Sequence, residues 1–193
     1  MFIVGLTGAH GVGKTTLCRE LQRRLTKRGF SVSTTPEVPR EILAEAKDPH
    51  FFRQGNNKLS RQFLIIARQI LVDQKALGVD VELCDRTLLD HWCYTLALFD
   101  DFDDPLTRSI WSRFVMTYQR RYQLLLYLPI EVLPLDDGVR EGDVEFQRKI
   151  DILITKYLKE ENFAFHIIRG SVAQRADHCE SLILARLRNP AET

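Results

Sequence analysis

Residues 8–15 read Gly8-Ala9-His10-Gly11-Val12-Gly13-Lys14-Thr15, the pattern G-x-x-x-x-G-K-T. No other stretch constrains the fold so strongly. Glycines at these positions let the backbone curl until successive N–H groups point inward, a nest for anionic oxygens. A helix opening at such a loop adds the positive end of its dipole. The lysine brings a cation to the outer phosphates of a nucleotide, and the threonine hydroxyl is a ligand for Mg²⁺. The context agrees: Phe2-Ile3-Val4-Gly5-Leu6 has the look of a buried strand, and Leu17, Cys18, Leu21 and Leu25 recur at helical spacing. Gly8, Gly11, Val12, Gly13, Lys14, Thr15 and Thr16 are the expected nucleotide-binding residues, with Lys14 also catalytic. His10 occupies a variable position of the motif and receives no role.

Beyond the loop, the chain alternates. The first helix is expected to end at Gly29. Phe30 to Thr35 reads as a second strand, followed by a short helix through Ile42, Leu43 and Ala46 and a loop from Lys47 to Asn57. A long helix spans Lys58 to Leu77, with Leu59, Phe63, Ile66, Ala67, Ile70 and Leu71 on its buried face. Val79 to Cys84 forms the third strand, and Thr87 opens a helix carrying Leu88, Trp92, Leu96 and Phe99. The acidic stretch 100–104 leads into a helix with Asp104 as cap and Pro105 at its first position, reaching Arg121. Strand four is Gln123 to Leu128, a continuous apolar run as in a parallel sheet. Helix Asp143 to Glu160, strand Phe163 to Ile168 and helix Val172 to Arg188 complete the order. The expected fold class is α/β: one domain over residues 1–193, a three-layer α/β/α sandwich on a five-stranded parallel sheet, with a lid loop at about residues 129–142.

Composition limits the partners. The 193 residues are 45% hydrophobic with net charge +1, enough for a core and too balanced to favour nucleic acid or a membrane surface. Cys18, Cys84, Cys93 and Cys179 show no metal-ligand spacing and read as reduced core residues. With the first strand beginning at Met1 or Phe2 and no long apolar run, the expectation is a cytoplasmic protein.

Parallel sheets bind ligands at the carboxyl ends of their strands, and every further candidate lies there. Asp85 ends the third strand as a Mg²⁺-holding acid does; the alternative is a cap for the helix at Thr87. Glu37, after strand two, can accept a proton from a substrate hydroxyl or cap the short helix after Pro36. Arg40 can anchor an acceptor phosphate or lie free on the surface. The polar loop after strand four carries Arg140, first choice for a charge-stabilising lid arginine, with Arg148 second. Arg61, Gln62 and Arg68 are weaker candidates on the long helix, and Trp92 and Trp111 fit helix faces.

These segments resemble the P-loop nucleoside and nucleotide kinases over most of the chain. Cys84-Asp85-Arg86-Thr87 is similar to the D/E-R-S/Y segment of deoxynucleoside kinases and thymidylate kinases, which implies that Arg86 contacts phosphate oxygens or the 5′ end of the acceptor. Thr35-Pro36-Glu37-Val38-Pro39-Arg40 resembles the second-strand segment of deoxynucleoside kinases, which implies a Glu37 near the acceptor hydroxyl. The spelling Glu37-x-x-Arg40-Glu41 is closer to the ribosylnicotinamide kinase domain. Asp136-Asp137-Gly138-Val139-Arg140 resembles the Asp-Gly-x-Arg lid of that group. Arg68 falls where deoxynucleoside kinases place base- and sugar-contacting residues. Gly170 follows strand five, where the adenine packs in the P-loop kinases that these segments resemble, and Arg175 can stack on it.

The resulting expectation is an ATP- and Mg²⁺-dependent kinase acting on a small nucleoside-like hydroxyl, with Lys14, Glu37, Asp85, Arg86 and Arg140 catalytic and Thr15 and Asp85 on the metal. Three alternatives stay open: a nucleoside monophosphate kinase, with Arg40, Arg68 or Arg86 on the acceptor phosphate; a kinase for a polynucleotide hydroxyl; and a regulatory ATPase without an acceptor. A GTPase is disfavoured because Asn-Lys-x-Asp is absent and no D-x-x-G follows strand three. Monomer and homodimer are both open.

Overall fold

The computed structural model describes residues 1–35, 38, 41–42, 45, 58–73, 78–98, 105–131 and 144–188. The opening apolar run forms β1 (Phe2–Thr7) and becomes the middle strand of the sheet. With β2 (Val32–Thr35), β3 (Val81–Asp85), β4 (Leu124–Tyr127) and β5 (His166–Ile167) it makes an all-parallel sheet in the order β2-β3-β1-β4-β5. Helices α1 (Lys14–Lys27) and α6 (Val172–Arg188) pack on each other. Helix α3 (Leu88–Leu98) packs against α2 (Lys58–Asp73), α4 (Pro105–Gln119) and α5 (Val144–Glu160) in the other layer. The expected three-layer α/β/α sandwich is therefore present.

Strand order reverses direction around β1, which has β3 on one side and β4 on the other. That is where open α/β sheets form a crevice. The register places Leu6 opposite Asp85 and Thr7 opposite Tyr127, so the ends of three strands lie level. Gly5 makes this possible. A Cβ there would stand 2.7 Å from the Thr87 methyl, so the start of α3 can press onto β1 only over a glycine.

The core is apolar on both faces of the sheet: Val4, Leu6, Leu17, Leu21, Leu25, Leu83, Leu88, Leu89, Trp92, Leu126, Leu128 and Ile150 are buried. Trp92 is 0% exposed, which confirms it as a core residue, and Trp111 stacks on Phe63 with ring centroids 4.0 Å apart. Trp92→Ala is expected to cost about 3–5 kcal/mol in urea denaturation, since the cavity it leaves is too large to collapse. All four cysteines are buried free thiols. No helix among the described residues is long and apolar enough to cross a membrane.

Several boundaries differ from the sequence expectation. Strand β2 starts at Val32, not Phe30: the Ser31 N–H and hydroxyl donate to the Asp80 carboxylate (2.8 and 2.7 Å), although the Ser31 carbonyl still accepts from Val81 (3.1 Å). The same exchange delays β3 to Val81. Strand β4 loses Gln123 and Leu128, and β5 shrinks to two residues on the sheet edge, although Phe163 and Ile168 stay buried. Helix α4 ends at Gln119, with Arg120 and Arg121 in a turn.

The buried face of α2 also needs correction. Ala67 and Leu71 are exposed, whereas Gln62, Ile65, Ile66 and Gln69 are buried. The face is rotated because α3 offers a polar partner: Gln69 Oε1 lies 3.1 Å from His91 Nε2. Ile65 joins Val38 and Ile42 in a second small cluster. The side chains of Leu59 and Arg61, the loop 47–57 and the acidic connection 99–104 lie outside the described residues.

Candidate active site

Three loops meet at the carboxyl ends of β1, β3 and β4. The first is the glycine loop. Gly8, Gly11 and Gly13 have φ of +150°, +75° and +91°, which side chains rarely adopt. Gly8 has a second reason to be glycine: an added Cβ would stand 2.5 Å from the Leu128 carbonyl oxygen. Gly8→Ala is expected to destabilise the protein by about 1–3 kcal/mol, read as a lowered urea midpoint at constant slope. Gly13 occupies the N-cap position of α1 and so leaves the first turn without a side-chain cap. That is the arrangement in which a bound anion takes the N–H groups.

Lys14 opens α1 and is 5% exposed. Its Nζ donates to the carbonyls of Gly8 and Ala9, both at 2.6 Å, folding the cation back over its own loop. Thr15 Oγ1 donates to Asp85 Oδ2 at 2.5 Å, joining the loop to the end of β3. Asp85 does not cap α3. That position belongs to Thr87, whose N–H and hydroxyl both donate to Asp90 Oδ2 (2.8 and 2.7 Å).

Between Asp85 and Thr87 sits Arg86, buried and at φ +96°. A non-glycine residue in that region carries about 1–3 kcal/mol of strain, and such strain gathers at functional sites. The turn is fixed by the Arg86 N–H donating to Leu6 O (3.2 Å), and its guanidinium lies 5.1 Å above the Tyr94 ring.

The third loop follows β4. Tyr127 donates its hydroxyl to Asp151 Oδ1 (2.7 Å) on α5. Burial, then that hydrogen bond, pushes the tyrosine hydroxyl's pKa up. Burial also raises Asp151, while Tyr127, Lys14 and Arg169 pull it back. Further along, Glu131 accepts from the Gly170 N–H (3.0 Å) and from Arg175 (2.6 Å), whose other nitrogen donates to the Val12 carbonyl (2.7 Å). The Arg175 guanidinium holds the Glu131 carboxyl below the usual carboxylate range.

The sequence thus located Gly8 to Thr16, Asp85, Arg86 and Gly170 in one crevice. Arg175 is engaged by Val12 and Glu131 rather than free to stack. Arg68 on α2 pairs with Glu45 (3.0 Å), and Arg148 is exposed on α5. Glu37, Arg40, Arg140 and lid residues 132–142 lie outside the described residues. Sequence reading missed Asp90, Tyr94, Gln147 and Asp151. Only Asp90 carried a signal, the capping-box spelling Thr87-x-x-Asp90. His10, given no role, is held at three atoms: its N–H and Nδ1 meet the Tyr94 hydroxyl (3.0 and 2.8 Å), and its carbonyl accepts from Gln147 (2.7 Å).

The donor set suits a hard cation shared with phosphates. One hydroxyl and one carboxylate face each other, and no group of three or more His, Cys, Asp or Glu among the described residues forms a closed metal cage. Mg²⁺ is typically bound by one or two carboxylates together with phosphate oxygens and waters.

Fold and crevice together define a P-loop protein whose fold is of the nucleoside and nucleotide kinase type. A family model described as "AAA domain" matches residues 3–175, and the chain belongs to that family. A thymidylate kinase of Leptospira borgpetersenii is 31% identical over 135 residues, 67% of this chain and 63% of that enzyme. A guanylate kinase of Wolinella succinogenes is 45% identical over 49 residues, 25% of this chain and 23% of its own length. The matches thus span less than two thirds of either relative. Among solved structures, deoxyadenosine kinase from M. mycoides with bound dATP superposes with a TM-score of 0.68 at 16% identity, covering 97% of this chain and 100% of that one. The same enzyme with the products dCMP and a flexible dCDP gives 0.69 at 14% identity, covering 95% and 100%. At that identity the likeness is one of fold.

Proposed function

We propose that the protein is a single-domain, cytoplasmic, ATP-dependent kinase that transfers the γ-phosphoryl group to a hydroxyl of a small nucleoside-like acceptor. The observation that carries this is the Thr15–Asp85 pair at 2.5 Å beside Lys14, a hydroxyl and a carboxylate poised at the phosphate loop. Lys14 and the loop from Gly8 to Thr16 take the phosphates of ATP, through the amides that Asp90 and Tyr94 leave open. Thr15 and Asp85 would hold Mg²⁺, which when bound neutralises charge between the phosphates. Glu37 accepts the acceptor's proton as its oxygen bonds to the γ-phosphorus and the bridging oxygen leaves with ADP. Arg86 and a lid arginine, Arg140 before Arg148, stabilise the charge on the migrating group. Gly170 lies beside the base. Polynucleotides are disfavoured as acceptors by the balanced net charge.

A second reading is a nucleoside monophosphate kinase, with Arg40, Arg68 or Arg86 clamping the acceptor phosphate. The similarity to a thymidylate kinase and a guanylate kinase favours it. A screen with γ-labelled ATP against nucleosides, nucleoside monophosphates, ribosylnicotinamide and oligonucleotides separates the two. Labelling of a nucleoside supports the first reading; labelling of monophosphates alone replaces it with the second; ATP hydrolysis without any labelled product overturns both. Glu37→Gln is expected to slow transfer by about a hundred-fold if it is the base.

A further inference from the structure

Helix α3 touches the glycine loop in a way that capping does not explain. Asp90 is 0% exposed. Its Oδ2 serves Thr87, three residues earlier and just before the helix starts, as an ordinary capping box does. Its Oδ1 reaches across the fold and accepts the Gly8 N–H at 3.0 Å. One helical turn later, on the same face, the Tyr94 hydroxyl accepts the His10 N–H at 3.0 Å. Two alternate amides of the loop are therefore held by one helix face. The same two residues serve Arg86: Asp90 fixes the residue after it, and the Tyr94 ring lies beneath its guanidinium.

We infer that Asp90 and Tyr94 are positioning residues that hold the first half of the phosphate loop in its anion-accepting form and index it to Arg86. Lys14 supplies the other grip on this half of the loop. Its Nζ takes the carbonyls of Gly8 and Ala9, so the Gly8 residue is gripped at its carbonyl by Lys14 and at its N–H by Asp90. When Lys14 turns to a phosphate it gives up both carbonyls. The grips from α3 remain, and the loop keeps its curvature during that exchange. A loop already ordered loses less conformational entropy on binding, which appears as affinity for the phosphate portion of a ligand.

This rests on the kinase reading only in taking residues 8–15 as a phosphate site. The test is displacement of a fluorescent ADP analogue by two probes, inorganic tripolyphosphate and adenosine, for wild type, Tyr94→Phe and Asp90→Asn. Tyr94→Phe keeps the ring under Arg86 and removes only the hydroxyl. It is expected to weaken tripolyphosphate about ten-fold, and Asp90→Asn about thirty-fold, the scale of one to two lost hydrogen bonds. Adenosine displacement should stay within about two-fold in both, because no phosphate is involved. A merely structural role would weaken the two probes together, and that result overturns the inference, as does unchanged tripolyphosphate affinity in both variants. Should Asp90→Asn fail to fold, Tyr94→Phe decides. A wild-type protein that does not bind the ADP analogue removes the nucleotide site itself, and the inference with it.

Discussion

Lys14→Ala is expected to reduce phosphoryl transfer to any acceptor by about a thousand-fold or more while leaving the fold intact. The cation sits at the first position of α1, where alanine is the best helix former, so the helix loses nothing by the change. Two of the side chain's hydrogen bonds go to carbonyls of its own loop. Its removal therefore touches the loop and spares the packing of Leu17, Leu21 and Leu25 beneath. Transfer of label from ATP measures the loss, and a urea titration checks the fold. Undiminished transfer in a folded variant would sink the assignment of the phosphate site.

The second large effect is expected at Asp85. Asp85→Asn keeps the shape and an acceptor for the Thr15 hydroxyl but removes the charge. Transfer should fall by about a hundred- to a thousand-fold, with the Mg²⁺ concentration for half-maximal rate shifted upward. The control is built into the chain. Since Thr87 and Asp90 cap α3, loss of charge at Asp85 does not undo the helix start. A variant with the wild-type Mg²⁺ dependence would leave Asp85 as a partner of Thr15 and nothing more.

The glycine loop of the candidate site was legible because its geometry is local. Eight consecutive residues carry the loop, and its strand and helix follow in the neighbouring sequence. The layer architecture was legible for a similar reason, since apolar strands and 3.6-period helices alternate along the chain. What sequence could not show is contact between distant side chains of ordinary type. Asp90 spells only a capping residue in the sequence, yet it also serves an amide 82 positions away. Gln69 lies off the apolar stripe expected of α2, yet it is buried with its Oε1 3.1 Å from His91 Nε2. Strand ends failed for a related cause. Ser31 and Asp80 have strand-like neighbours, but their mutual hydrogen bonds compete with the ladder.

The Glu131–Arg175 pair has a consequence for motion. Arg175 reaches Val12 and Glu131 together, and Glu131 also holds Gly170, so three loops share one electrostatic knot. Amide exchange at Gly170 should then report on the root of the segment after β4, since its proton is released only when Glu131 lets go. With its carboxyl held below the usual range, Glu131 stabilises the knot above its unfolded-state value and loses that contribution as pH falls through the depressed one. Acidification is thus expected to loosen Glu131 from Gly170 and Arg175, while the Arg175 bond to the Val12 carbonyl carries no such dependence.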